Sequence, residues 1–228
     1  MRAFMMLLMA AVVVPAYAEQ TVVADQLIYR DIGGSGEGSQ FNRIMVTSKY
    51  VRFDDGTNQD GFLLFDRMKK VIYSINAEDR SILEIEPKPV ESLSKDAPKV
   101  EVRRKVDDKA PQVGGAKPIE VELLANGESC EKRLVVPGLM KSALAGLVEY
   151  QQVLSWQQQT LVSAVPAEMQ NGCDLALNVY FPDMLLKEGL SFQRWGQGGR
   201  DELVDFSSDK KVDARFFELP KGYRRRAM

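Results

Sequence analysis

Residues 139–162, LMKSALAGLVEYQQVLSWQQQTLV, follow Pro137-Gly138 and contain neither a proline nor a run of β-branched residues, so nothing in them stops a helix. Met140, Leu144, Leu147, Leu154 and Leu161 recur at spacings of 4, 3, 7 and 7, which places them on one apolar stripe. Gln151 and Gln158 fall in step with these leucines. A tightly filled core would leave such amides in need of buried partners. Either they stand at the mouth of a partly open cavity, or the helix turns outward there as a 3.6-residue turn drifts against a seven-residue spacing.

Upstream of this helix the sequence reads as antiparallel strands. Runs 22–30, 40–47, 50–53, 61–66, 70–75 and 81–85 are rich in Val, Ile, Phe and Tyr and are separated by turn residues. In Val71-Ile72-Tyr73-Ser74-Ile75 the alternation leaves one strongly apolar face and one mixed face. Residues 87–118 change character, holding five prolines and thirteen charged residues. They read as a solvated insertion within a single domain, interrupted by an edge strand at 100–106. Strand character resumes at 119–124 and 131–136, and again after the helix at 175–181, 190–195, 202–207 and 211–217. A meander, a helix and a second meander predict an α+β fold: a curved antiparallel sheet, or half-barrel, with the helix covering its concave face.

The first 18 residues, MRAFMMLLMAAVVVPAYA, have the layout of a secretory signal: Arg2, an apolar run, and Ala16-Tyr17-Ala18 as the cleavage site. The twelve apolar residues before Pro15 would span only about 18 Å as a helix, against a hydrocarbon core of roughly 30 Å. The expectation is a single domain over 19–228, exported to the periplasm, with no transmembrane segment after cleavage. In an oxidising compartment Cys130 and Cys173, the chain's two cysteines, are expected to form a structural disulfide. Closing that loop would constrain the unfolded chain by roughly 4 kcal/mol.

Composition excludes much chemistry. There is no histidine, which removes Ser-His-Asp and Cys-His nucleophiles and every histidine-ligated metal. A net charge of −2 gives no general footprint for nucleic acid. The acidic loop from Asp54 to Gly61 puts Gln59 sixth and Phe65 twelfth, where a calcium loop needs glycine and a bidentate acid, so it reads as a solvated hairpin loop. Gly33, Gly34, Gly36 and Gly38 lack the lysine and following helix of a phosphate cradle. Ser92-Leu93-Ser94-Lys95 has S-x-x-K spacing without a supporting motif. Arg224-Arg225-Arg226 reads as a solvated tail. The sequence nominates no catalytic residue, no cofactor and no metal ligand.

The strings Tyr50-Val51-Arg52-Phe53-Asp54-Asp55-Gly56, Phe65-Asp66-Arg67 with Ile72-Tyr73-Ser74-Ile75-Asn76, and Phe217-Glu218-Leu219-Pro220-Lys221-Gly222-Tyr223 resemble a family of uncharacterised exported bacterial proteins related in fold to the lipoprotein carriers of the LolA/LolB type. The resemblance covers most of the chain outside the insertion. It implies an open, curved sheet whose concave side, closed by helical cover, forms an apolar cavity that in the carriers receives acyl chains. The function this suggests is binding of a lipid, acyl chain or other amphiphile, with Met140, Leu144, Leu147, Leu154 and Leu161 lining the cavity. The alternative is a non-catalytic envelope module with a packed core, meeting a protein partner through the charged insertion.

Overall fold

The computed structural model describes residues 20–32, 40–57, 61–87, 97–106, 108–162, 164–196 and 199–228. The signal-like segment 1–18, the glycine run 33–38 and the S-x-x-K string 92–95 lie outside the described residues.

Six strands open the fold: β1 (Thr21–Ile32), β2 (Phe41–Val46), β3 (Tyr50–Asp54), β4 (Gly61–Asp66), β5 (Val71–Asn76) and β6 (Ser81–Ile85). They form an antiparallel meander. Its turns are set by short side chains bonding to nearby backbone. Thr47 Oγ1 accepts from the amides of Lys49 (3.2 Å) and Tyr50 (2.9 Å), and Asp66 Oδ1 from those of Met68 (3.0 Å) and Lys69 (2.9 Å). Next come β7 (Val100–Val106), β8 (Ile119–Ala125), β9 (Glu128–Val136), helix α1 (Lys141–Val162), β10 (Leu190–Gly196), β11 (Gly199–Asp213) and β12 (Arg224–Ala227). All twelve strands join one sheet in the order β12-β6-β5-β4-β3-β2-β1-β11-β10-β9-β8-β7. Near the middle of the sheet β1, the first strand, pairs with β11 along nearly its whole length, while β12 lies at one edge.

The expected α+β half-barrel with a covering helix, and the carrier-like architecture implied by resemblance, are corrected here. The fold is predominantly β, a large open mixed sheet whose mixed character comes from β12 running parallel to β6. The reason lies in the meander's second face. Ile72 packs with Phe65, Val51, Leu27 and α1, but Val71, Tyr73 and Ile75 point the other way, into a separate core with Met45, Leu64, Ile82 and Phe217. The C-terminal segment closes that second core with Phe216, Phe217, Leu219 and Tyr223 before β12 adds to the edge. The meander is thus sandwiched between α1 and the C-terminus, with the strongly apolar face of β5 under the C-terminal segment rather than under the helix. Residues 224–226, read as a solvated tail, lie in β12, where Arg225 is ion-paired with Glu84.

Two other strand assignments change. Residues 175–181 are not a strand. A helical stretch starts at Gly172, where Asn171 Oδ1 accepts from the Cys173 (2.8 Å) and Asp174 (3.2 Å) amides, and continues as a wide π-type turn over Leu175–Tyr180. Runs 202–207 and 211–217 are one strand, β11, up to Asp213, followed by a single helical turn at Ala214–Phe217. The apparent break is a bulge: Ser207 and Lys210 face Gln26 and Ala24, so two residues of β11 oppose Asp25 alone, and Asp209 has a φ of 59°.

The expected disulfide is present. Cys130 of β9 is joined to Cys173, and both are buried in a third core with Val121, Leu123, Val135, Ala176 and Leu185. It staples the sheet to the helical stretch after α1. Because residues 175–181 are not a strand, it does not brace two strands flanking the helix.

Candidate functional site

α1 contacts β1, β2, β3 and β5 and turns Ala143, Gly146, Leu147, Tyr150 and Val153 inward. Gly146 permits the close approach. A Cβ there would lie 2.8 Å from Val46 Cγ1 and 3.0 Å from Val51 Cγ2. Toward β9 and β10 the helix and sheet part, leaving a cavity of about 220 Å³.

Register and strand alternation build its walls. Asn42 faces Tyr29 and Ile44 faces Phe53 across the meander, so these four side chains lie on one face. Across the β1–β11 seam, Arg133, Arg194, Asp201 and Asp31 form a charged row running over β9, β10, β11 and β1. Apolar contact comes from Ile44, Phe53, Leu147, Tyr150 and Leu186, and the polar rim includes Arg133, Arg194, Asp201 and Gln151. The Phe53 and Tyr150 rings pack with centroids 4.5 Å apart. Burial pushes the Tyr150 phenol up to about 12, and burial likewise raises Tyr29, whose hydroxyl donates to the Ser191 carbonyl at 3.0 Å. Both phenols therefore stay protonated and serve only as neutral hydrogen-bonding groups.

The two arginines are engaged but not saturated. Arg133 Nε donates to Glu131 Oε1 at 2.5 Å; Arg194 reaches Glu131 at 3.8 Å and is ion-paired with Asp201. Arg194 Nε is buried with no hydrogen-bond partner in the protein. Arg133, Gln151 and Arg194 also wall a second cavity of about 260 Å³, which runs to the Cys130–Cys173 bond, Leu177, Phe181 and Leu185. A third, of about 430 Å³, lies by the C-terminal end of α1 against Gln158, Val162, Met169 and Val179.

The five stripe residues fare differently. Leu147 lines the first cavity; Met140, Leu144 and Leu154 are half-buried against the core; Leu161 is 48% exposed. Met140 precedes the helix with a φ of 50°. The helix drifts off a seven-residue spacing, so the inward stripe runs through Tyr150 and Val153 and leaves Leu161 outside. Of the two readings of the glutamines, the cavity-mouth one describes Gln151, which borders two cavities, and Gln158 borders the third. Tyr29, Ile44, Phe53, Arg133, Arg194 and Asp201 were not signalled by any motif. Their grouping depends on strand register across the seam.

Among the described residues no three Asp, Glu or Cys side chains are placed to hold a metal, and no described helix is long and apolar enough to cross a membrane. The disulfide fits an oxidising compartment.

No protein family matches the chain, and no curated protein matches it. Among solved structures it is similar to an uncharacterised conserved protein from Thermus thermophilus, at 8% identity and a TM-score of 0.44 over 90% of each chain. It is also similar to PNGF-II in two crystal forms, each with a TM-score of 0.41, at 7% and 8% identity over 91% of this chain. The chain spans 31% and 32% of the length of those PNGF-II chains. These are loose likenesses.

Proposed function

We propose that the chain is an exported binding protein of the periplasm that holds a small amphiphile, with its apolar part on Ile44, Phe53, Leu147 and Leu186 and an anionic head at Arg194 and Arg133. The observation that carries this reading is an apolar hollow with the Arg133 and Arg194 guanidinium groups on its polar rim. A space of about 220 Å³ exceeds the roughly 150 Å³ apolar cavity that accepts benzene and falls short of a drug-sized site. It suits a short acyl chain or a single ring system. The signal-like segment 1–18 and the disulfide support the periplasmic setting.

The test is mass spectrometry of organic extracts from natively purified protein, together with displacement of anilinonaphthalene sulfonate by octanoate. A co-purifying amphiphile and saturable displacement are expected, with displacement abolished by Leu186→Trp and weakened about tenfold or more by Arg194→Gln. An empty protein that binds neither probe overturns the proposal.

A further inference from the structure

The sheet has two ends, and they differ. β12 carries Arg224, Arg225 and Arg226 in succession, so a second β12 laid against it would set arginine against arginine. At the other end, β7 pairs only with β8 among the described residues, and its seven residues present their outer backbone edge without a neighbouring strand. Glu101, Arg103, Arg104, Lys105 and Val106 are exposed, Val106 to 55%. An exposed edge of this kind is a template for another strand unless its charges oppose pairing.

The sequence of β7, Val100-Glu101-Val102-Arg103-Arg104-Lys105-Val106, favours pairing with itself in one register. Two copies running antiparallel about Arg103 set Glu101 opposite the partner's Lys105, twice by symmetry, and Val100 opposite the partner's Val106, also twice. Directly opposed side chains in an antiparallel pair share a face and touch. Shifting the centre to Val102 opposes Glu101 and Arg103 but also Lys99 and Lys105, so the attraction is offset, and shifting it to Arg104 opposes Arg103 and Lys105, which is repulsive. Within one copy, Lys105 has no ion-pair or hydrogen-bond partner among the described residues. Glu101 holds only its exposed neighbour Arg103, Oε1 to Nε at 2.7 Å. That same contact keeps a carboxylate beside Arg103, which lies on the two-fold axis facing its own copy.

We propose that two copies of this chain associate through β7, antiparallel and centred on Arg103, so that the twelve-stranded sheet continues across a two-fold axis. The occupant of the free edge is a second copy because the strand's charge order is complementary to its own reverse. The contact is isologous and closes on itself, so it yields dimers rather than filaments. A single edge of seven residues lies at the small end of protein interfaces, which makes this a reversible, concentration-dependent dimer. The inference is independent of the amphiphile reading.

Sedimentation velocity of the disulfide-intact protein tests it. The wild type is expected to shift from monomer to dimer as concentration rises. Glu101→Lys and Lys105→Glu each turn both cross-strand pairs into like charges and should weaken the dimer roughly tenfold or more. An equimolar mixture of these two variants restores opposite charges at both contacts and should dimerise at least as well as the wild type, which also reports that each variant is folded. A wild type that stays monomeric at every concentration overturns the proposal. Single variants that still dimerise, or a mixture that does not, overturn this register.

Discussion

Arg67, in the turn after β4, grips Glu149 of α1 through two hydrogen bonds, Nε to Oε2 at 3.2 Å and Nη2 to Oε1 at 2.7 Å. Lys70 Nζ adds a third to Oε2 at 2.8 Å. The same arginine donates Nη1 to the Thr47 carbonyl at 2.7 Å, so one side chain ties two meander turns to the helix.

The Arg67 hydrogen bonds, helped by Lys70, hold the Glu149 carboxyl at about 2, below its ordinary value of 4.5. A depressed carboxylate stabilises the fold above its unfolded pKa, and the contribution fades as pH falls from about 4.5 toward 2. Glu149→Gln should cost about 1–2 kcal/mol at neutral pH, less than the full shift implies because the pair is partly open to solvent. Urea unfolding midpoints of wild type and variant should converge near pH 2; a gap that persists there contradicts the assignment.

Gly146→Ala tests the helix–sheet contact. Alanine raises helix propensity by about 1 kcal/mol, but its methyl would press on two branched, rotationally stiff valines that cannot swing away. Overpacking costs about 1–3 kcal/mol, so the net effect is a loss of roughly 1 kcal/mol and a melting temperature lower by a few degrees. An unchanged or raised melting temperature would show that α1 has room to move.

Arg52 lies between the Phe62 and Phe216 rings, 3.8 Å from each centroid, with its Nε donating to Asp54 Oδ2 at 2.7 Å. Arg52→Lys keeps the charge and loses the flat stacking surface, at about 1–2 kcal/mol. Because Phe216 belongs to the segment covering the second core, limited proteolysis within residues 214–223 should accelerate in this variant before the rest of the chain is cut. Equal cleavage rates would place the anchor of that segment elsewhere.

Removing the Cys130–Cys173 bond should cost about 2–4 kcal/mol. Paired Cys130→Ser and Cys173→Ser substitutions should also raise hydrogen exchange over residues 172–181 more than in the meander, since the bond ties that stretch to β9. Uniform exchange across the chain would argue against a local staple.

Most strands were legible because Val, Ile, Phe and Tyr mark them and polar turns separate them. Asn126-Gly127 carried a further signal that went unread. With φ values of 52° and 87° they form a two-residue turn that brings Ala125 opposite Glu128 and starts β9 earlier than its apolar residues suggest. Residues 175–181 misled because Val179, Tyr180 and Phe181 favour strands, whereas Asn171 starts a helical turn and the nearby disulfide fixes it against β9. The parallel partnership of β12 with β6 left no local trace, since three arginines in a row show no alternation of apolar and polar residues. The cavity was half legible: the helix supplied Leu147 and Gln151, but the arginine row needed the register of four strands.

The seam between β1 and β11 sets an order in time. Thr21 pairs with Asp213, so a strand made among the first is completed by one made among the last. Pairing across so much sequence is slow to find, because nearly the whole chain must be closed into a loop before the contact forms. Until the segment beyond β11 has emerged, Val71, Tyr73 and Ile75 have no cover. A chain still being made therefore carries an exposed greasy sheet for most of its synthesis, and the risk of wrong association lasts until Phe216, Phe217, Leu219 and Tyr223 fold over it.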